Sequence, residues 1–321
     1  MTADAPINFR GRRLVVFGAG YIGAEVARQG VAYGLRVTAL TRNTESARAL
    51  AAAGVETVVA DLATPEWHTM IEGGADFVLN CVSSGGGGAE NYHRSYFRGM
   101  ASMLAWACSG SDKIGTLVYT SSTAVYPQGD GVIVDEGMAT NRSDDRAKVL
   151  VDTEEILTAL ANKTSSPSAA TRWFILRLAG IYGPGRHHLL DQLRAGATEL
   201  PGRGDHRLNL AHRNDICAAI WAAFAAPPAV AGEIFNVADE GAATKAEVVA
   251  WLSARLGVPT PPFSGKAAEN ARRAVTPDRV IGSDKIRRLL GWRPAYPTFR
   301  EGYEGVCPIG YHVKVAGDMR P

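Results

Sequence analysis

Four apolar residues in a row, Leu14, Val15, Val16 and Phe17, run directly into Gly18-Ala19-Gly20-Tyr21-Ile22-Gly23, and an apolar-rich segment follows. This run constrains the fold more than any other stretch of the chain. A buried strand has to end, turn sharply and open a helix within a few residues. The three glycines serve that geometry differently: Gly18 lets the chain bend, Gly20 keeps side chains away from the helix start, and Gly23 lets the new helix approach the strand. The first N–H groups of the helix are then free to meet phosphate oxygens. Strand, turn and helix in this order near the start of a domain predict a dinucleotide-binding turn, with Gly18, Gly20, Tyr21, Ile22 and Gly23 at the cofactor. The alternative is a strand-to-helix turn with no ligand.

The 321 residues suffice for one large domain or two interlaced ones, and a 46% hydrophobic share supports a real core. A formal charge of +2 with well-mixed signs gives no argument for nucleic acid or an anionic membrane surface, so the expected partners are small metabolites. Cys81, Cys108, Cys217 and Cys307 are far apart and form no Cys-x-x-Cys pair, which suggests neither a zinc site nor a disulfide framework. A reducing cytoplasm fits that usage. Residues 1–10 lack the apolar core of a signal peptide, and the strongly apolar stretch 216–226 is too short to span a bilayer.

The first half alternates strand and helix. Helical patterns are predicted at 21–33, 45–53, 91–108 and 145–161, and strands at 36–40, 55–60, 76–82, 114–120 and 173–178. Right-handed crossovers make this a doubly wound, Rossmann-type parallel sheet of the α/β class. The tip of the second strand reads Thr41-Arg42-Asn43, where an acidic side chain would take the ribose hydroxyls of NAD and a basic one suits the extra phosphate of NADP. No carboxylate is present, and Arg42 can pair with a phosphate through two parallel hydrogen bonds, so the reading is NADP with NAD as the other form. The alternative for Arg42 is a solvated loop charge. Asp61-Leu62, ending the third strand, either contacts the adenine or caps the next helix. Ser83, past the fourth strand, joins the cofactor set. The glycines at 85–88 form a close-approach loop, a lid or a plain flexible loop.

The glycine turn, Asp61-Leu62, Thr120-Ser121-Ser122-Thr123-Ala124-Val125-Tyr126, the stretch from Leu176-Arg177-Leu178 to Tyr182-Gly183-Pro184-Gly185, and Leu290-Gly291-Trp292-Arg293-Pro294 come in a recognisable order. Together they resemble the extended short-chain dehydrogenase/reductases, the NAD-dependent epimerase/dehydratase family, over nearly the whole chain after its first ten residues. The resemblance implies a Rossmann domain over residues 1–178, to which 209–237 return, and a smaller C-terminal substrate lobe over 179–321. It also implies a homodimer through the helices near 91–108 and 145–161.

In that family, chemistry rests on a Ser or Thr, a Tyr, and a Lys four residues after the Tyr on one helix, where the ammonium lowers the phenol's pKa. By resemblance Ser122 matches the serine and Lys148 the lysine, and the tyrosine position then holds Asp144. An aspartate beside an ammonium has no proton to give at neutral pH, so Asp144 cannot stand in for the phenol. The alternatives are an ordinary Asp-Lys helix contact and a strand-end serine satisfying a backbone group. The departure resembles an atypical branch of the superfamily that keeps the glycine turn and a Gly-Pro-Gly-Arg-His stretch, here residues 183–187, without the usual tyrosine.

Tyr182, following a strand whose carboxyl end points into the crevice, is a substitute proton donor or a packed ring, and Tyr126 is the next choice. Arg186, His187 and Arg207 are the candidates for substrate contact, with Arg203 and Arg213 on the same side, and the alternative is that several of these arginines, and His187 and His188, are solvated loop residues. His187 and His188 are adjacent and would not aim at one metal, so no metal site is expected. Two function classes stay open. One is an NADP-linked oxidoreductase or epimerase acting on a small polar, sugar-like or nucleotide-linked substrate. The other is an NADP(H)-binding sensor that has lost its acid-base group.

Overall fold

The computed structural model describes residues 8–86, 88–109, 114–163, 172–266 and 276–307. In chain order the first half runs β1 (Arg13–Phe17), α1 (Gly23–Ala32), β2 (Arg36–Thr41), α2 (Thr44–Ala51), β3 (Glu56–Val59), β4 (Ala75–Asn80), α3 (Ala89–His93), α4 (Gly99–Ser109), β5 (Ile114–Ser122), β6 (Ile133–Val134), α5 (Asp145–Lys163) and β7 (Arg172–Leu178). The second half adds β8 (Gly180–Tyr182), α6 (His188–Arg194), β9 (Leu210–His212), α7 (Arg213–Phe224), β10 (Glu233–Val237), α8 (Lys245–Leu256), β11 (Val280–Ile281), α9 (Asp284–Leu290) and α10 (Phe299–Glu304).

Seven strands form one sheet in the order β10-β7-β5-β4-β1-β2-β3, and every pairing in it is parallel. Each face is covered, which is why its strands read as unbroken apolar runs. Leu14 and Val16 pack with Val26 and Ala27 of α1 and Ile216 and Ile220 of α7. Val15 and Phe17 point the other way, onto Met100, Met103 and Trp106 of α4. The strand order reverses between β1 and β4, whose last residues Phe17 and Asn80 stand in register. The glycine turn leaves β1 there, at the switch point where open α/β sheets bind ligands.

The helix expected over 91–108 is interrupted. Arg94–Arg98 forms a wider π turn between α3 and α4. The stretch 209–237 divides between two sheets: α7 and β10 join the main sheet, whereas β9 pairs with β8 in a separate two-stranded ribbon. A second ribbon pairs β6 with β11, tying residues 133–134 to 280–281, so the two lobes are interlaced rather than consecutive. The C-terminal lobe has its own core, in which Leu190 and Leu193 of α6, Val248 and Leu252 of α8 and Phe299 and Tyr303 of α10 meet Tyr182. Gly87, within the glycine loop at 85–88, lies outside the described residues.

Candidate functional site

The glycines of the turn divide their roles. Gly18 has φ +91°, and a Cβ there would lie 2.6 Å from the Val82 backbone. A Cβ on Gly23 would strike the Gly18 carbonyl and come 2.6 Å from the Cys81 sulfur. Gly20 is different, since a Cβ on it meets nothing within 4 Å. Two glycines are therefore required by packing, and the third faces open space. Ile22, the N-cap of α1, offers no side-chain acceptor to the first-turn N–H groups, which leaves that helix end suited to an anion.

Around the turn, the side chains of Ile22 and Leu62 are 7% and 3% exposed and belong to the core, so only their backbone can face a ligand. Thr41 is buried as well, its hydroxyl accepting from the Asn43 N–H at 3.2 Å. Arg42 is exposed, with Nη2 3.5 Å from where a Cβ on Gly85 would sit, so the tip of β2 and the loop after β4 border one space. Among the described residues no carboxylate lies within ion-pairing distance of Arg42. Ser83 is exposed on the same loop. Asp61 caps its own turn through the Ala63 N–H at 3.0 Å and pairs with Arg94 Nε at 3.0 Å. Burial would raise its pKa, but the Ala63 N–H and the Arg94 guanidinium outweigh that and hold it below the usual carboxylate value. Each oxygen thus has one partner within the protein, the Ala63 N–H on Oδ1 being the contact that the capping alternative expects.

The acid-base set is not assembled as the family pattern implies. Asp144 caps α5, accepting from the Ala147 N–H at 2.8 Å. Lys148 is exposed and pairs with Asp152 one turn further along, away from Asp144. The face of α5 turned inward carries Ala147, Leu150, Val151, Glu154 and Leu157 instead. Ser122 ends β5, and its Oγ accepts from the Ala124 N–H at 3.1 Å, leaving the hydroxyl proton available to another acceptor.

Neither tyrosine is a free donor. Tyr182 is 3% exposed and points into the core of the C-terminal lobe, with its hydroxyl at the Thr298 carbonyl and its ring against Tyr303. Burial raises its pKa far above the ordinary phenol value. Tyr126 is fully buried; its hydroxyl accepts from Arg177 Nη1 and donates to Asn236 Oδ1, both at 2.8 Å. These hydrogen bonds make it part of the scaffold.

On the lobe side, Arg207 is held by Asp278 through both its N–H and its guanidinium, at 2.9 and 2.7 Å, so its charge is already answered. Arg203 pairs with Asp205 at the surface. His188 is exposed at the start of α6, whereas His187 is 5% exposed, packs on Tyr303, and has no hydrogen-bond partner at either ring nitrogen among the described residues. Burial lowers its pKa below the ordinary imidazole value. Among the described residues no group of three His, Cys, Asp or Glu side chains converges as a metal site.

Three features escaped the sequence reading. The Glu154–Arg177 ion pair is buried with both side chains 5% exposed; its signal was Arg177, a charge inside an apolar strand. His212 caps α7 through Nδ1, packs at a tilt against Tyr296 with ring centroids 3.7 Å apart, and is pushed to a pKa of about 4 by burial, Arg213 and His187. Asp239, just past β10, has an unpartnered Oδ1, and burial raises its pKa to about 8 against the pull of the Leu210 and Gly241 backbone.

The model of the NAD dependent epimerase/dehydratase family matches residues 14–238. The chain is 25% identical over 297 residues to protein YeeZ of Escherichia coli (strain K12), covering 89% of this chain and 97% of that one. It is 28% identical over 255 residues to the 2-alkyl-3-oxoalkanoate reductase of Shewanella oneidensis, covering 75% of this chain and 65% of that one. Among solved structures, MoeE5 in complex with UDP-glucuronic acid and NAD superposes with a TM-score of 0.73 at 20% identity, covering 94% of this chain and 97% of that one, a likeness of fold. Among the described residues no helix is long and apolar enough to cross a membrane.

Proposed function

The chain belongs to the NAD-dependent epimerase/dehydratase family, and on that premise we propose that it is an NADP(H)-linked oxidoreductase or epimerase acting on a small polar substrate. The observation that carries this reading is the open face of Gly20 with the carboxylate-free Arg42 guanidinium at the tip of β2, which together fit a dinucleotide bearing an additional phosphate. The turn's backbone and the first turn of α1 would hold the pyrophosphate, and Arg42 the 2′-phosphate. The nicotinamide, when bound, supplies the hydride chemistry. Ser122 keeps a donor at the carboxyl end of β5, in the crevice where a substrate oxygen would be oriented. The family resemblance further implies that two copies pair through the segment 91–108, which spans α3 and α4, and through α5, which sedimentation velocity would check.

The second reading, a cofactor sensor without turnover, draws on one feature: the first turn of α5 carries a cap at Asp144 and an outward Lys148 where the family keeps its proton-transfer pair. Calorimetry tests the cofactor assignment. Arg42→Ala should weaken NADPH by about tenfold or more and leave NADH nearly unchanged, since a charged hydrogen bond contributes about 1.5–3 kcal/mol. A wild-type preference for NADH would overturn it. Hydride transfer to any member of a panel of ketones and sugar nucleotides selects the enzyme; tight NADPH binding with no transfer across that panel selects the sensor.

A further inference from the structure

Tyr21 is the one side chain of the glycine turn that reaches toward the C-terminal lobe, and the lobe grips it. Its hydroxyl donates to the Pro184 carbonyl at 3.0 Å. Burial raises the phenol's pKa although Arg213 and Arg186 pull it down, so it keeps the proton that this bond needs. Pro184 sits in a tight turn closed by paired backbone hydrogen bonds between Gly183 and Arg186, at 2.8 and 3.2 Å. That closure fixes where the Arg186 side chain leaves the chain. Its guanidinium lies over the Tyr21 ring, 5.6 Å from the centroid, and the Arg213 guanidinium lies over the same ring at 5.4 Å.

Two cations gathered on one phenol ring repel each other, and each cation-π contact returns only about 0.5–2 kcal/mol. Their charges are poorly answered within the protein. Arg213 meets Glu25 only at 3.8 Å, and its Nε and Nη2 reach the Asn214 Oδ1, a neutral acceptor, at 3.3 Å each; Glu25 also serves Arg28 at 3.7 Å and Gln29 at 3.0 Å. Arg186 has no carboxylate within ion-pairing distance among the described residues. The other arginines of this side are satisfied, Arg207 by Asp278 and Arg203 by Asp205. A planar guanidinium fork matches a carboxylate or phosphate edge, and two forks from different segments define one such group between them.

We infer that Arg186 and Arg213, held on the two sides of Tyr21, form a clamp for an oxyanion carried by the substrate, a phosphate or carboxylate, beside the cofactor's pyrophosphate site. The inference rests on the cofactor assignment of the glycine turn and deepens it by naming the substrate class as anionic. The substrate is favoured over the cofactor as the source because the pyrophosphate is served by turn backbone and the start of α1, whereas both arginines come from segments bordering the lobe. Arg186 follows β8 and Arg213 opens α7.

Inorganic pyrophosphate titrated into NADP⁺-saturated protein by calorimetry tests the clamp, because the cofactor then blocks its own phosphate site. Wild type should bind it, and Arg186→Met and Arg213→Met should each weaken that binding about tenfold or more while NADP⁺ affinity stays within about threefold. Arg288→Met, which removes an exposed charge on α9, should change neither. Arg186→Lys should recover little, since it restores the charge without the fork. Absence of pyrophosphate binding to the saturated wild type overturns the clamp, as does equal weakening of NADP⁺ and pyrophosphate in the Met variants, which would give the arginines to the cofactor. Failure of wild type to bind either nicotinamide dinucleotide instead removes the functional reading; the clamp is then decided on the apo protein, supported if the Met variants lose pyrophosphate binding and overturned if they keep it.

Discussion

Arg177 holds Glu154 through two hydrogen bonds, Nε to Oε1 at 3.1 Å and Nη2 to Oε2 at 2.6 Å, and both side chains are buried. The Ser121 hydroxyl adds a third bond to Oε1 at 2.6 Å, and Arg177 Nη1 reaches Tyr126, which leads to Asn236. One pair thereby ties β5, α5, β7 and β10 together beneath the end of β5. Removing one partner leaves a buried charge, so Glu154→Leu or Arg177→Leu should destabilise by about 3–5 kcal/mol, whereas the double variant should recover much of that loss. Urea unfolding of the four proteins measures the coupling, and additive losses would contradict it.

The glycines of the turn should separate binding from folding. Gly20→Val projects into open space, so the apo protein should keep its unfolding midpoint within about 3 °C while losing NADPH binding. Gly18→Ala combines φ +91° with a collision at the Val82 backbone and should cost the fold itself several degrees. Scanning calorimetry with and without cofactor distinguishes the two outcomes.

Asp144 behaves as a helix cap in geometry, and its substitutions should follow capping rules. Asp144→Ala should lose about 1 kcal/mol of stability, and Asp144→Ser should restore most of it. Denaturant midpoints decide this. A change in NADPH affinity with no change in stability would point back to a role at the nicotinamide.

His212 gives the protein an acid-sensitive element. Its folded pKa of about 4 lies below the unfolded value of about 6.5, so between these limits the unfolded chain binds more protons. The stability contributed by the neutral ring is complete above the unfolded value and is lost as the pH falls from about 6.5 toward 4. His212→Asn keeps a cap on α7 but does not titrate. Between pH 7.5 and 4.5 the wild-type midpoint should therefore fall about 5 °C further than that of the variant. Parallel curves would show that the ring is protonated at no cost.

What the sequence disclosed depended on the length of the signal. Strands such as β5 and β7 are long and apolar on both faces, whereas the return of 209–237 to the main sheet came from the family resemblance. The ribbons β6–β11 and β8–β9 pair two and three residues at a time across long separations, too few for any periodicity to register. Spacing also put Asp144 and Lys148 on one helical face without saying which face turns inward. Glu154 disguised the answer, because a charged residue occupies the inward stripe and finds its partner only across the fold in Arg177. For Tyr182 the sequence left a proton donor and a packed ring open, and the structure shows the packed ring. The strand-end rule locates a residue, but the side chain followed the apolar contacts of Tyr303 into the lobe.

The interlaced strand order also governs how the molecule can be made. On a ribosome, β7 is complete at Leu178, yet its outer neighbour β10 starts only at Glu233. At about 5–20 residues per second, roughly 60 residues of synthesis leave that strand edge uncovered for about 3–12 s. During that interval the nascent sheet exposes the backbone groups and apolar surface that later bind Phe235 and Val237, a natural target for a chaperone and a point of failure for any fragment ending before β10.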